Sequence, residues 1–150
     1  MLGADKSDLY KVGCSGEVCL MRARIVIADD QPDVLREIGN LLACHFDVIG
    51  VVSNGPALIE AAETLRPELV VLDISMPGMS GLETARRLAA RSNPPRLVFL
   101  TVHESRAILR DALDTGALGY VVKIRADTDL VAAVREALEG RSYISPCLQS

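Results

Sequence analysis

Five short apolar runs, each followed by a stretch of helical periodicity, limit what this 150-residue chain can fold into. The runs are RIVIA (24–28), FDVIGVVS (46–53), LVVLD (69–73), RLVFLT (96–101) and GYVVK (119–123). None alternates polar with apolar positions, so each reads as a strand buried on both faces. After the first run, DDQPDVLREIGNLLACH places Val34, Leu35, Ile38, Leu41 and Leu42 on one helical stripe, and Pro32 suits that helix's first turn. PALIEAAETLR (56–66) turns Leu58, Ile59, Ala62 and Leu65 inward, and GLETARRLAAR (81–91) carries Glu83, Arg86, Arg87 and Arg91 on its wet side. SRAILRDALDTGA (105–117) stops at Gly116, and DTDLVAAVREALEG (127–140) begins at Asp127 or Thr128 as N-cap and stops at Gly140. Strands that alternate with helices form a parallel sheet covered on both faces, so the expected class is α/β, a doubly wound five-stranded parallel sheet.

The core is aliphatic, because hydrophobic residues make up 49% and aromatics 3%. The net charge of -4 argues against a chain that grips nucleic acid by its phosphates. No apolar run approaches the roughly 20 residues that span a bilayer, and the first residues lack the apolar centre of a signal peptide. The expected address is cytoplasmic, with no membrane partner. Cys14, Cys19, Cys44 and Cys147 show no metal-ligand spacing and are expected as free thiols. Residues 1–22 read as a tail with Gly3, Gly13 and Gly16, and Met21 is a candidate natural start.

In an open parallel sheet, functional groups gather beyond the carboxyl ends of the strands. Asp29 and Asp30 follow the first strand here, Asp73 ends the third, Thr101 the fourth and Lys123 the fifth, while the second offers Ser53 and Asn54. Taken singly, each has an ordinary reading: helix cap, turn residue, solvated ammonium. Together they are harder to dismiss. Carboxylates within ~5 Å repel by about 3 kcal/mol per pair at an effective dielectric near 20, so a cation must compensate. Oxygen-only ligands with room for water suit Mg²⁺ or Mn²⁺. Asp73, on a rigid strand tip, is then a nucleophile that takes a phosphoryl group as an aspartyl-phosphate, with Lys123 and Thr101 on the phosphoryl oxygens. The Met76-Pro77-Gly78 loop stiffens the approach, and Gly78 and Gly81 let backbone pass close to the site.

These residues carry a resemblance. Asp29-Asp30, LDISMPGMSGLE around Asp73, LT at 100–101 and GYVVK at 119–123 resemble the response-regulator receiver domain of two-component signalling, over about residues 23–140. The resemblance implies a flavodoxin-like sheet in the order 2-1-3-4-5 and phosphorylation of Asp73 by a histidine kinase or phosphotransfer protein. It implies Mg²⁺ held by Asp30, Asp73 and the backbone carbonyl of Ser75, with Asp29 reaching it through water. It implies that Thr101 and Tyr120 form a switch pair, Tyr120 turning inward once Asp73 is phosphorylated, and that the domain promotes its own phosphorylation and dephosphorylation rather than serving as an enzyme for others. A homodimer is a possible form. GRSYISP (140–146) resembles the end of NarL/FixJ-type receivers, so residues 141–150 are expected to start a linker to a LuxR-type helix-turn-helix output domain that the chain does not contain. DNA contact would come only through that domain. The chain departs from many receivers at Ile124, where they carry Pro, and at Val102, where they carry a smaller residue.

Rival readings fit the motifs less well. An aspartyl-phosphate phosphatase of the haloacid-dehalogenase type wants a second Asp at the position of Ser75. A nucleotide or flavin binder wants a glycine fingerprint after the first strand. A phosphorylation-independent receiver-like interaction module would lack an acid, the Thr or the Lys, and all are present.

Overall fold

The computed structural model describes residues 10–12, 18–20 and 22–149. Strands β1 (Tyr10–Val12) and β2 (Val18–Leu20) pair antiparallel, where the sequence predicts a tail without pattern. Runs of this length are too short to display a period. The rest of residues 1–21, Cys14 among them, lies outside the described residues, as do the side chains of the β1–β2 pair, Cys19 included. Cys44 and Cys147 are free.

The main sheet contains β3 (Arg24–Ala28), β4 (Asp47–Val52), β5 (Leu69–Leu72), β6 (Arg96–Thr101), β7 (Gly119–Val122) and β8 (Tyr143–Ile144), in the order β4-β3-β5-β6-β7-β8. The five predicted strands thus keep the order 2-1-3-4-5, all pairs parallel, with β8 added at the β7 edge. The sequence does not signal β8, because two residues among polar neighbours carry no periodicity.

Helices α1 (Pro32–Ala43) and α5 (Ala126–Leu138) cover one face, where Ile38, Leu42, Leu130 and Val134 pack on Ile27, Val71 and Val121. Helices α2 (Gly55–Leu65), α3 (Gly81–Ala89) and α4 (Arg106–Asp114) cover the other, where Leu58, Leu88 and Ala112 pack on Val26, Leu72 and Phe99. Opposite faces of each strand feed different clusters, which is why the strand sequences do not alternate. Asn54, Ser80 and Ser105 accept hydrogen bonds from Ala57, Glu83 and Ile108 amides and so cap α2, α3 and α4. Gly116 lies just beyond α4 with φ 95°, and Gly140 just beyond α5 with φ 81°.

Helix α5 departs from its predicted start. It begins at Ala126, with Arg125 in the cap position and no side-chain cap, so neither Asp127 nor Thr128 serves. A 3₁₀ turn, Lys123–Arg125, runs directly into the helix and supplies backbone partners instead, and the Thr128 hydroxyl donates back to the Arg125 carbonyl at 3.0 Å. No peptide among the described residues is cis, the Lys123–Ile124 bond included.

Candidate functional site

Asp29 follows the last residue of β3 and Asp73 the last residue of β5. These central strands are paired, and Asp73 continues the ladder by donating its N–H to the Ala28 carbonyl at 3.1 Å. The Asp29 N–H goes to the Val52 carbonyl at 3.1 Å, so both backbones are tied before their side chains diverge from the sheet. Asp29 and Asp73 are buried, with 2% and 4% exposure, while Asp30 stands at the rim, exposed. One carboxylate oxygen from each of Asp29, Asp30 and Asp73 lies within 4.8 Å of the others.

Lys123, one residue past β7, reaches back over the sheet edge. Its Nζ is 2.7 Å from Asp29 Oδ2 and 3.2 Å from Asp73 Oδ2. The shorter contact is an ion pair to a buried oxygen, Asp29 Oδ2, that has no other polar partner. The opposite oxygen, Oδ1, accepts from the Gln31 amide at 2.9 Å. Asp73 Oδ1 accepts from the Ser75 amide at 3.3 Å.

The charges settle unequally. Burial pushes the Asp73 carboxyl above its ordinary value of 3.8, because Lys123 only partly offsets it and Asp29 adds to the rise. Burial lowers Lys123, but contacts to Asp29 and Asp73 outweigh it, so the ammonium is held above its ordinary value. The ammonium has two carboxylate partners, whereas Asp73 has a share in one ammonium, so the cation is favoured and the Asp73 anion is not.

This donor set fits a hard divalent cation. The oxygens are carboxylate, one buried oxygen has the Lys123 ammonium as its sole polar neighbour, and the rim carboxylate faces solvent. Gly81, the first residue of α3, explains how that helix comes so near: a Cβ there would fall 2.0 Å from the Asp73 carbonyl oxygen. Gly78 turns the preceding loop with φ 76°.

Thr101, at the end of β6, is fully buried, and its Oγ1 accepts from the His103 amide at 3.2 Å. Tyr120, which the resemblance pairs with Thr101, is also fully buried. Its hydroxyl donates to the His103 carbonyl at 2.8 Å, which satisfies the one polar atom that would oppose burial of the ring. Burial pushes its phenol up to about 12.

His103 is absent from the sequence-based set. It ties three candidate residues together: amide to Thr101, carbonyl to Tyr120, and ring Nε2 to Ser75 Oγ at 2.6 Å. Nothing in the sequence pairs Ser75 with His103, because the bridge depends on how two separate loops cross the sheet edge.

Comparisons with known proteins converge on one family. The response regulator receiver domain matches residues 25–135. The nitrate/nitrite response regulator NarL of Escherichia coli K12 is 38% identical over 128 residues, covering 84% of this chain. That stretch is 59% of the NarL chain, so the sequence spans about three-fifths of its relative's length. The isolated receiver domain of RcsB from Salmonella enterica serovar Typhimurium, solved with the phosphomimetic BeF3⁻, superposes with a TM-score of 0.78 at 28% identity, covering 85% of this chain and 96% of that one. RcsB in a DNA complex superposes equally, with a TM-score of 0.78 at 28% identity over 85% of this chain and 65% of that one.

Proposed function

This chain belongs to the response regulator receiver domain family, on its NarL/FixJ-type branch, and from that premise we propose that it is a signalling domain that accepts a phosphoryl group on Asp73. The observation that carries the reading is Lys123 Nζ lying between Asp29 and Asp73 at the carboxyl edge of the sheet. An Asp73 oxygen attacks phosphorus, a P–O bond forms, and the donor's bond to phosphorus breaks with its electron pair leaving on the donor. For a histidine kinase or phosphotransfer protein, that leaving group is an imidazole nitrogen.

Lys123 follows the charge: its ammonium, now shared with Asp29, pairs with a phosphoryl oxygen. Thr101 Oγ1 uses a lone pair on the His103 amide, which leaves its hydrogen able to turn to a second phosphoryl oxygen. Asp29, Asp30, Asp73 and the Ser75 carbonyl would hold Mg²⁺ or Mn²⁺, which when bound supplies positive charge beside the transferred group. The same residues, open to water at the rim, support slow self-dephosphorylation.

The output is proposed on coarser grounds. As in NarL-type regulators, the domain between about residues 23 and 140 controls transcription through a DNA-binding domain joined by the segment from 141, and acts in the cytoplasm. Among the described residues no helix is long and apolar enough to cross a membrane. The face from 105 to 139 would carry the change, by a population shift toward the packing the phosphoryl group favours, and could dock a second receiver.

Incubation with acetyl phosphate and Mg²⁺, followed by intact mass measurement, tests the assignment. The chain should gain one phosphoryl mass and Asp73→Asn should gain none. Equal labelling of Asp73→Asn would remove Asp73 from its role, and no labelling of either would favour an interaction module.

A further inference from the structure

Lys123 must be placed accurately to serve two buried carboxylates, yet its own neighbour gives no purchase: Ile124 is 84% exposed. What fixes this turn lies elsewhere. On one side of Lys123, the Val122 amide donates to Ser145 Oγ at 3.1 Å. The Ser145 hydroxyl donates a hydrogen bond to Asp129 Oδ2 at 2.9 Å. On the other side of Lys123, Arg125 Nε donates to the same oxygen, Asp129 Oδ2, at 3.0 Å. One carboxylate therefore grips the Lys123–Arg125 turn from both ends, through a hydroxyl before it and a guanidinium after it.

The anchor is built rather than incidental. Ser145 is fully buried and Asp129 nearly so, at 3%. Burial by itself would raise the Asp129 carboxyl, but hydrogen bonds from Arg125 and Ser145 outweigh it and hold the group below its ordinary value. Thr128 Oγ1 also contacts the other oxygen, Asp129 Oδ1, at 3.2 Å. Ser145 is itself fixed, because its amide donates to the Tyr120 carbonyl at 2.9 Å and continues the β7–β8 ladder. Its hydroxyl then takes the last β7 amide before the lysine. Leu148, 7% exposed, joins the main cluster and Ile144 packs against it, so the segment is held by apolar contact as well.

Ser145 lies beyond residues 25–135, the stretch that matches the family. We propose that Ser145 and Asp129 are positioning residues that hold Lys123 on Asp73, and that the segment after α5 thereby completes the phosphoryl-accepting site. This rests on the role given above to Asp73 and Lys123. Neither positioning residue touches the phosphoryl group. They act by denying the turn the freedom to carry the ammonium away, and displacement of such a group by an ångström can cost about a hundredfold in rate.

A double-mutant cycle on the full chain tests this, with acetyl phosphate and Mg²⁺ and the phosphorylated mass followed over time. Ser145→Ala should slow labelling about tenfold while Lys123 is present. In a Lys123→Ala background, labelling slowly, the same change should have no further effect. A purely structural weakening would slow both backgrounds by the same factor, and that result, or an undiminished rate in Ser145→Ala, would overturn the proposal. Should Ser145→Ala fail to fold, Arg125→Gln cuts the other arm at a side chain 43% exposed. It should slow labelling only when Lys123 is present, and no effect there overturns the proposal equally. Labelling of Asp73→Asn at the wild-type rate would instead remove the assignment of Asp73, a result independent of the brace.

Discussion

Burial raises the Asp73 carboxyl above 3.8, and the Lys123 ammonium, which it shares with Asp29, only partly offsets that rise. Without metal, ionising Asp73 therefore costs more in the folded chain than in the unfolded one. The sign follows by linkage. Below 3.8 the group is protonated in both states and contributes nothing. As pH climbs from 3.8 to the raised folded value, the unfolded chain releases its proton first and stability falls. Above that value the penalty is complete. Asp73→Asn should thus be more stable than wild type to urea at neutral pH in a chelator, and the gap should close as pH falls toward 3.8. A gap that persists or widens in acid would contradict the burial argument. Asp129 runs the other way: its carboxyl is held down, so its contribution is present above 3.8 and lost in stronger acid.

At the scale of elements, two helical glycines separate a packing constraint from a propensity penalty. Gly81 opens α3 against the end of β5, and a Cβ would meet the Asp73 carbonyl oxygen at 2.0 Å and the Ile74 Cα at 2.7 Å. Those are backbone atoms and cannot swing away. Gly81→Ala should shift α3 and cost roughly 3 kcal/mol, in the range of overpacked core sites. Gly39 sits inside α1 with nothing within 4 Å of its missing Cβ. Gly39→Ala should stabilise by about 1 kcal/mol, because it removes a helix-interior glycine without a clash. Urea midpoints of both variants decide the matter: opposite signs are expected.

The whole molecule should respond to metal and to phosphate. A cation that binds only the folded chain stabilises it by roughly 2.7 kcal/mol at a hundred times its Kd. Mg²⁺ should therefore raise the melting temperature of wild type, and Asp30→Ala should lose most of that rise, since Asp30 is the rim member of the acidic cluster. An equal rise in Asp30→Ala would place the ion elsewhere. Phosphorylation should alter hydrogen exchange across residues 105–139, and Thr101→Ala should still accept phosphate but show smaller changes there. Identical changes in both would break the proposed coupling. With a net charge of -4, this chain is not expected to bind DNA in either state.

The sequence by itself determined the layer order and the edge at which chemistry-bearing residues gather. Its strands are runs such as LVVL, buried on both faces, and only a parallel sheet flanked by helices satisfies them. Once that sheet exists, Asp29, Asp73 and Lys123 meet, with Thr101 at the same edge, because each follows or ends a strand pointing the same way. Tertiary structure decided the contacts that depend on loops and on distant pairing. Ser75 and His103 have no shared local pattern, and only the crossing of two loops brings them to 2.6 Å. Ser145 and Val122 are 23 positions apart, and their bond exists because a two-residue strand with no periodicity joins the sheet. Tyr120 lies inside because a carbonyl at His103 accepts its hydroxyl, a partner from a separate loop that no local pattern announces. Periodicity reports which face of an element is buried. It carries no information on which polar atoms from separate elements meet, because that is set by the path of the backbone between them.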